Sequence, residues 1–386
     1  MRLARPFLGI LVCAVSARAA AAQGTFVVRL GRDTSAVERV TRTRVRLEAD
    51  GLFRQPRTTL RHVVMDFAAD GRPARVEITL SRPDAAGATL VQRTVATFTR
   101  DSVFVEIRRD TTVITRRLAA APGIIPVVGG ASSSWVGLDL LAERLRSARG
   151  DSIAVPVYTV GAAATSIWSA RVLGRDSVWL YDGNNVFHAR VDGDGHILGA
   201  IPISGTQQFT VDRVASADVA AVARGFATRD ARGDALGLLS PRDTVRAEVA
   251  GAAVWIDYGR PAKRGRVLFG STIAPWGEVW RTGANAATQF RTDRALEMGG
   301  VVVQPGTYTL WTIPSPTGWK LLINGETGQW GTDHHAARDL FQLDMRATVL
   351  AQPVERFTIA VTSEGQGGVL RLQWDTTEAS IPFTVR

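Results

Sequence analysis

Thiol chemistry is nearly absent from this chain. Its 386 residues contain a single cysteine, Cys13, set in an apolar N-terminal stretch. Without that stretch the chain has no cysteine, which excludes disulfides, thiolate metal sites and a cysteine nucleophile. Val12 precedes Cys13 where a lipid-attachment signal requires a small residue. Lysine is scarce too: Lys263 and Lys320 are the only two, so 46 − 2 = 44 of the basic residues are arginine. Histidine is limited to His62, His188, His196, His334 and His335, none in the setting of a serine triad. The chain has no G-x-S-x-G, S-x-x-K or H-E-x-x-H sequence and no phosphate-binding glycine loop, which removes the enzyme classes those motifs mark. A hydrolase working through paired carboxylates leaves no local signature and stays as an alternative. No apolar run approaches the ~20 residues of a membrane-spanning helix, so no span is expected in the mature chain.

What the N-terminus does have is a secretion pattern. Arg2 and Arg5 give a positive start, Phe7 to Ala17 are apolar, and Ala19 to Ala22 are small. The pattern predicts a signal peptide over residues 1–22, cleavage near Ala22–Gln23, and a periplasmic or extracellular protein. A chain this long has enough apolar material for two domains held by core burial without disulfides.

The formal charge is +10, and the signal contributes Arg2, Arg5 and Arg18, leaving 10 − 3 = +7. Residues 244–386 carry 14 basic and 13 acidic groups, so 7 − 1 = +6 lies in the N-terminal part. Those arginines are spread along strands and turns instead of clustered, so nucleic acid is not an expected partner.

Residues 23–226 read as antiparallel β structure with one or two helices. Val76, Ile78 and Leu80 alternate with Glu77 and Thr79, and Val103, Val105 and Ile107 alternate with Phe104 and Glu106. Period-two alternation buries one face of a strand. Asp50-Gly51, Asp70-Gly71 and Arg82-Pro83-Asp84 are the turn signals between strands. A helix is predicted where Trp135, Leu138, Leu141, Ala142 and Leu145 share a face, capped by Ser134 and ended by Gly150. A second is predicted from Asp218 to Phe226, capped by Ser216. Asp192-Gly193-Asp194-Gly195 lacks the remaining calcium-loop ligands, since Ile203 stands where a Glu is needed, and reads as a hairpin turn. Residues 227–243 turn polar and glycine-bearing and are the predicted linker.

Residues 244–386 are again rich in short strands, as at Phe341–Val349 and Phe357–Val361, which implies a β-sandwich or jelly roll. Several strings stand out here. They are Tyr258-Gly259-Arg260-Pro261, Gly265-Arg266-Val267-Leu268-Phe269-Gly270 and Trp280-Arg281-Thr282-Gly283-Ala284-Asn285, then Pro305-Gly306-Thr307-Tyr308, Trp319-Lys320 with Asn324, and Gln329-Trp330-Gly331. In that order they resemble the bacterial family catalogued as domain of unknown function 2911, over about residues 236–386. The resemblance implies an exported β protein and carries no activity, substrate or catalytic residue. Thr332-Asp333-His334-His335 departs from the family's pattern after Gln329-Trp330-Gly331.

The candidate ligand-binding set is Tyr258, Arg260, Trp276, Trp280, Arg281, Asn285, Gln329 and Trp330. Seven of the ten tryptophans lie after residue 250. Indole faces beside Arg, Asn and Gln suit sugar rings or small acids. The competing reading makes the tryptophans core, with the arginines paired to Asp257, Glu278 or Asp293 at its rim. His334 and His335 are weak zinc candidates, because neighbours on a strand point to opposite faces; no metal or cofactor is expected. The sequence therefore points to a non-catalytic exported protein binding a glycan or small acidic ligand, or otherwise to a structural or protein-binding module.

Overall fold

A computed structural model describes residues 22–84 and 87–386; residues 1–21 of the expected signal lie outside them. The chain forms two sheets, one of fifteen strands and one of nine. The first begins in the middle. Its opening strand, Ala22–Leu30, pairs on one side with Asp33–Arg42, the next strand along the chain. On the other side it pairs with the last strand of the domain, Phe209–Val214, bringing Thr25 opposite Val214. Two antiparallel meanders therefore share a seam along Ala22–Leu30. The exception to antiparallel pairing is Ile125–Val127, which runs parallel to Ser152–Thr159. A parallel pair needs a crossover, and helix α1, Val136–Arg146, supplies it.

α1 fills the inside of the rolled sheet. Trp135, Leu138, Leu141, Ala142 and Leu145 join one continuous core with strand residues from both meanders. Trp135 meets Phe187 edge-on with ring centroids 5.0 Å apart. The start of α1 is held by a carboxylate from the sheet, not by Ser134 as a cap. Glu38, 1 % exposed, accepts from Trp135 N at 3.1 Å and from Ser134 Oγ at 2.9 Å. Arg61 donates to Glu38 at 2.8 Å and to the carbonyls of Val128 and Ser133, so the buried carboxylate is balanced by a guanidinium whose two terminal nitrogens are bonded, its Nε being left without a partner. The helix ends at Arg146, with Ser147 as its C-terminal cap, short of the expected Gly150.

Two other expectations need correction. Asp50-Gly51 is no turn: the strand Arg46–Phe53 runs straight through it. A Cβ on Gly51 would sit 2.8 Å from the Val37 carbonyl oxygen, so the glycine permits close strand approach instead of a reversal. The second helix, α2, spans Val219–Ala231, and Asp218, not Ser216, caps it by accepting from Ala221 N. It thus takes up the first third of the expected linker. α2 packs Val219 and Ala223 over Val37 and Leu52 on the outer face of the sheet.

The nine-stranded sheet is antiparallel throughout and folds back on itself. Asp339–Glu364 pairs with Trp319–Asn324 on one side and Gly367–Val385 on the other. The core between the layers holds Tyr258, Trp280, Trp319, Phe357 and Trp374.

Residues 232–241 are no free tether. Gly237 N donates to Pro56 O at 3.1 Å, and Leu236 O accepts from Arg264. Arg264, 6 % exposed, also pairs with Asp33 at 2.6 Å, while Arg32 N donates to Arg264 O. Gly31 lies under that contact with φ of +57°, and a Cβ there would stand 1.9 Å from Arg264 O. The two sheets are locked together around this point.

Candidate functional site

Four of the family-like strings, those holding Gly259, Arg266, Trp280–Asn285 and Gly331, meet at one loop and the cleft beside it. The loop is Trp280–Asn285. It holds left-handed backbone at Thr282, with φ of 52°, and at Asn285, with φ of 63°. A β-branched residue in that region is strained and persists only where its surroundings over-determine it. Thr282 is fully buried, its hydroxyl bonded to Thr312 and its carbonyl to the Thr288 hydroxyl. Gly259 and Gly331 let the loop close in. A Cβ on Gly259 would meet the Ala284 oxygen at 2.0 Å, and one on Gly331 would meet Arg281 Cδ at 2.3 Å. Gly331 N also donates to Asn285 O.

The loop forms one wall of a cleft of about 150 Å³ between the two domains. Arg266, Trp280, Arg281, Asn285 and Trp374 face it from the second domain, and Gln55, Ser132, Thr206, Gln207 and Phe209 from the first. No Asp or Glu lines it, so paired-carboxylate hydrolysis has no groups to work with here. Arg281 reaches across the boundary to Thr206 Oγ1 at 2.9 Å, and its Nε is buried without a partner. Burial pushes its guanidinium below the usual arginine range. Arg266 donates only to the Lys263 and Ala262 carbonyls. Desolvation, and then the neighbouring Arg264 charge, push it down to about 10 against the pull of Glu355. Both side chains are half-buried, and neither is ion-paired to a carboxylate.

The candidate set divides on these facts. Trp280, Arg281 and Asn285 line the cleft, Asn285 also donating to Ser240 O in the connecting segment. Tyr258 is core: it is 1 % exposed, and its hydroxyl accepts from Ile359 N. Arg260 is tied to Phe357 O, Thr358 and Asp243. Gln329 bonds Thr309 and the Glu326 carbonyl. Trp276 and Trp330 are exposed but outside the cleft, Trp276 stacked on Phe269. The Trp280 ring is enclosed by Trp374, Phe357, Phe269 and Trp319. Its faces are taken by other aromatics, so it offers no sugar-stacking platform. The rim acids are engaged elsewhere than on the cleft arginines: Asp257 pairs with Arg242, and Asp293 accepts from Ala253 N.

Arg266, Thr206 and Gln207 escaped the sequence reading. Arg266 sat inside a recognised string and could have been drawn from it. Thr206 and Gln207 belong to the other domain, and only the docking brings them near. His334 and His335 do not converge: His334 Nε2 meets Asp339 at 2.9 Å, and His335 Nδ1 meets Glu326 at 2.7 Å. Among the described residues no three metal-ligating side chains cluster. Asp192 Oδ1 accepts from Asp194 N and His196 N, closing a hairpin turn as expected.

A larger concavity, about 1230 Å³, lies between α2 and the outer face of the first sheet. The charges on its floor satisfy one another, Asp50 accepting from His62 Nδ1 at 2.7 Å and Arg39 at 2.9 Å. Its size alone does not make it the better site.

The family described as a protein of unknown function, DUF2911, matches residues 240–383, the C-terminal third resembling that family. No curated protein matches the chain.

Proposed function

We propose that this is an exported, non-catalytic protein that holds a small acidic ligand in the cleft between its domains. The secretion pattern of the N-terminus supports export. The ligand class rests on one observation: Arg266 and Arg281 lie desolvated in a cleft with no carboxylate in its lining. A buried charge is costly unless paired, and a guanidinium fork matches a carboxylate in geometry as well as sign. At about 150 Å³ the cleft suits one ring-sized molecule, such as an aromatic acid or a single acidic sugar.

The test is thermal unfolding of the full chain with benzoate, glucuronate or inorganic phosphate, against glucose as the neutral control. An acid at ~100 times its dissociation constant should add about 2.7 kcal/mol, seen as a raised Tm. The shift should disappear in Arg281→Met. Equal stabilisation by glucose, or none by any acid in well-folded protein, would overturn the reading.

A further inference from the structure

The hydrophobic core of the first domain comes to the surface at one end of the rolled sheet, where α1 finishes. A cavity of about 450 Å³ opens there, within the range of sites that take whole small molecules. Its floor includes Phe98, Ile125 and Leu140. These core residues keep 8 %, 5 % and 8 % of their surface, whereas Val63, Met65 and Ala96 deeper in the same core keep none.

The rim is basic. Arg42, Arg72, Arg100 and Arg144 stand against Asp70 and Glu143, so the lining carries 4 − 2 = +2. Glu143 is held by Arg42, and Asp70 by Arg72. That leaves Arg100 and Arg144 without an ion pair among the described residues, Arg144 donating only to the Gly123 carbonyl.

An apolar floor under two uncommitted guanidiniums matches a molecule with an apolar chain and an anionic head. We propose that this cavity is a second ligand site, which takes a free single-chain amphiphile with a carboxylate head, the chain against Phe98, Ile125 and Leu140 and the head at Arg100 and Arg144. It shares no residue with the interdomain cleft, and neither proposal rests on the other.

Calorimetric titration of the full chain with dodecanoate, below its micelle concentration, tests this. Dodecanoate should bind saturably with one molecule per chain. Affinity should rise about fourfold for each methylene added from octanoate upward until the cavity is full. Dodecyltrimethylammonium should not bind. The double variant Arg100→Ala/Arg144→Ala changes exposed side chains and should fold, and it should weaken dodecanoate at least tenfold. Arg281→Met should leave dodecanoate binding intact, so loss of the cleft reading and loss of this one are told apart. Binding of the cationic amphiphile as tight as dodecanoate would overturn the proposal. So would unchanged affinity in the double variant, absence of saturable binding, or binding only to anionic phosphatidylglycerol vesicles and not to monomeric dodecanoate.

Discussion

Arg61 is buried and Arg281 half-buried, and the protein treats the two arginines in opposite ways. Arg61 spans from the sheet to the start of α1, with Glu38 and two carbonyls satisfying it. Arg281 reaches a single neutral hydroxyl and no carboxylate; an unpartnered Nε is common to both and does not separate them. The first arrangement is neutralised within the fold: it holds a helix against a sheet, and its charge is already balanced by Glu38. The second lacks a counter-charge, which in the proposed function the ligand would supply. Arg264 falls with Arg61, since Asp33 balances its charge and the Leu236 carbonyl accepts from it. Counter-charge, more than burial, separates structural arginines from candidate binding ones in this molecule.

The contrast can be broken by mutation. The largest effect is expected for Glu38→Ala, which strands Arg61 and removes the acceptor at the start of α1. Breaking a buried pair from one side costs about 3–5 kcal/mol, read by urea unfolding; a cost under ~1 kcal/mol would mean that the carbonyls alone satisfy Arg61. Arg281→Met is expected to cost little, because it removes a desolvated cation along with one neutral hydrogen bond. Its effect should fall on affinity: losing a charged hydrogen bond of about 1.5–3 kcal/mol weakens an acid ligand roughly 10- to 150-fold. If Arg281→Met destabilised the free protein as much as Glu38→Ala, the distinction would collapse.

The smallest effect is a pH dependence at the first turn of α1. Asp139 accepts from His196 Nδ1 at 3.1 Å and from Ile197 N at 2.7 Å. The hydrogen bond to Asp139 raises the His196 pKa above its ordinary value, against desolvation and the nearby Arg213, with Asp192 adding to the rise. A raised histidine contributes stability that is complete below its unfolded pKa of about 6.5 and lost as pH rises through the folded value. Tm should therefore decline above neutrality, and His196→Asn should flatten that slope. An equal slope in the variant would assign it to another group.

Much of the fold was legible because it rests on local pattern. Val103, Val105 and Ile107 alternate in sequence and are all buried, and Trp135 to Leu145 trace the buried side of α1. Asp50-Gly51 misled because a glycine demanded by close strand approach looks the same in sequence as one demanded by a turn. The start of α1 misled because its acceptor, Glu38, lies 97 residues from Trp135. The same limit applied to the cleft. Trp280, Arg281 and Asn285 were found because one short loop carries them, whereas Thr206 meets Arg281 across 75 residues. Tyr258 and Arg260 come from the same strings but tie their strand to Phe357–Ile359, and composition cannot separate a binding arginine from one tied to Phe357 O and Asp243.

The seam along Ala22–Leu30 bears on the order of assembly. That strand is made first, yet its partner Phe209–Val214 is made nearly two hundred residues later, Thr25 waiting for Val214. Loop-closure entropy makes such a distant pairing slow, and the waiting edge is a template for wrong partners. Each meander can form by itself from neighbouring strands. The seam between them closes last, so it sets the pace at which the first domain becomes complete and offers the second domain a surface to dock on.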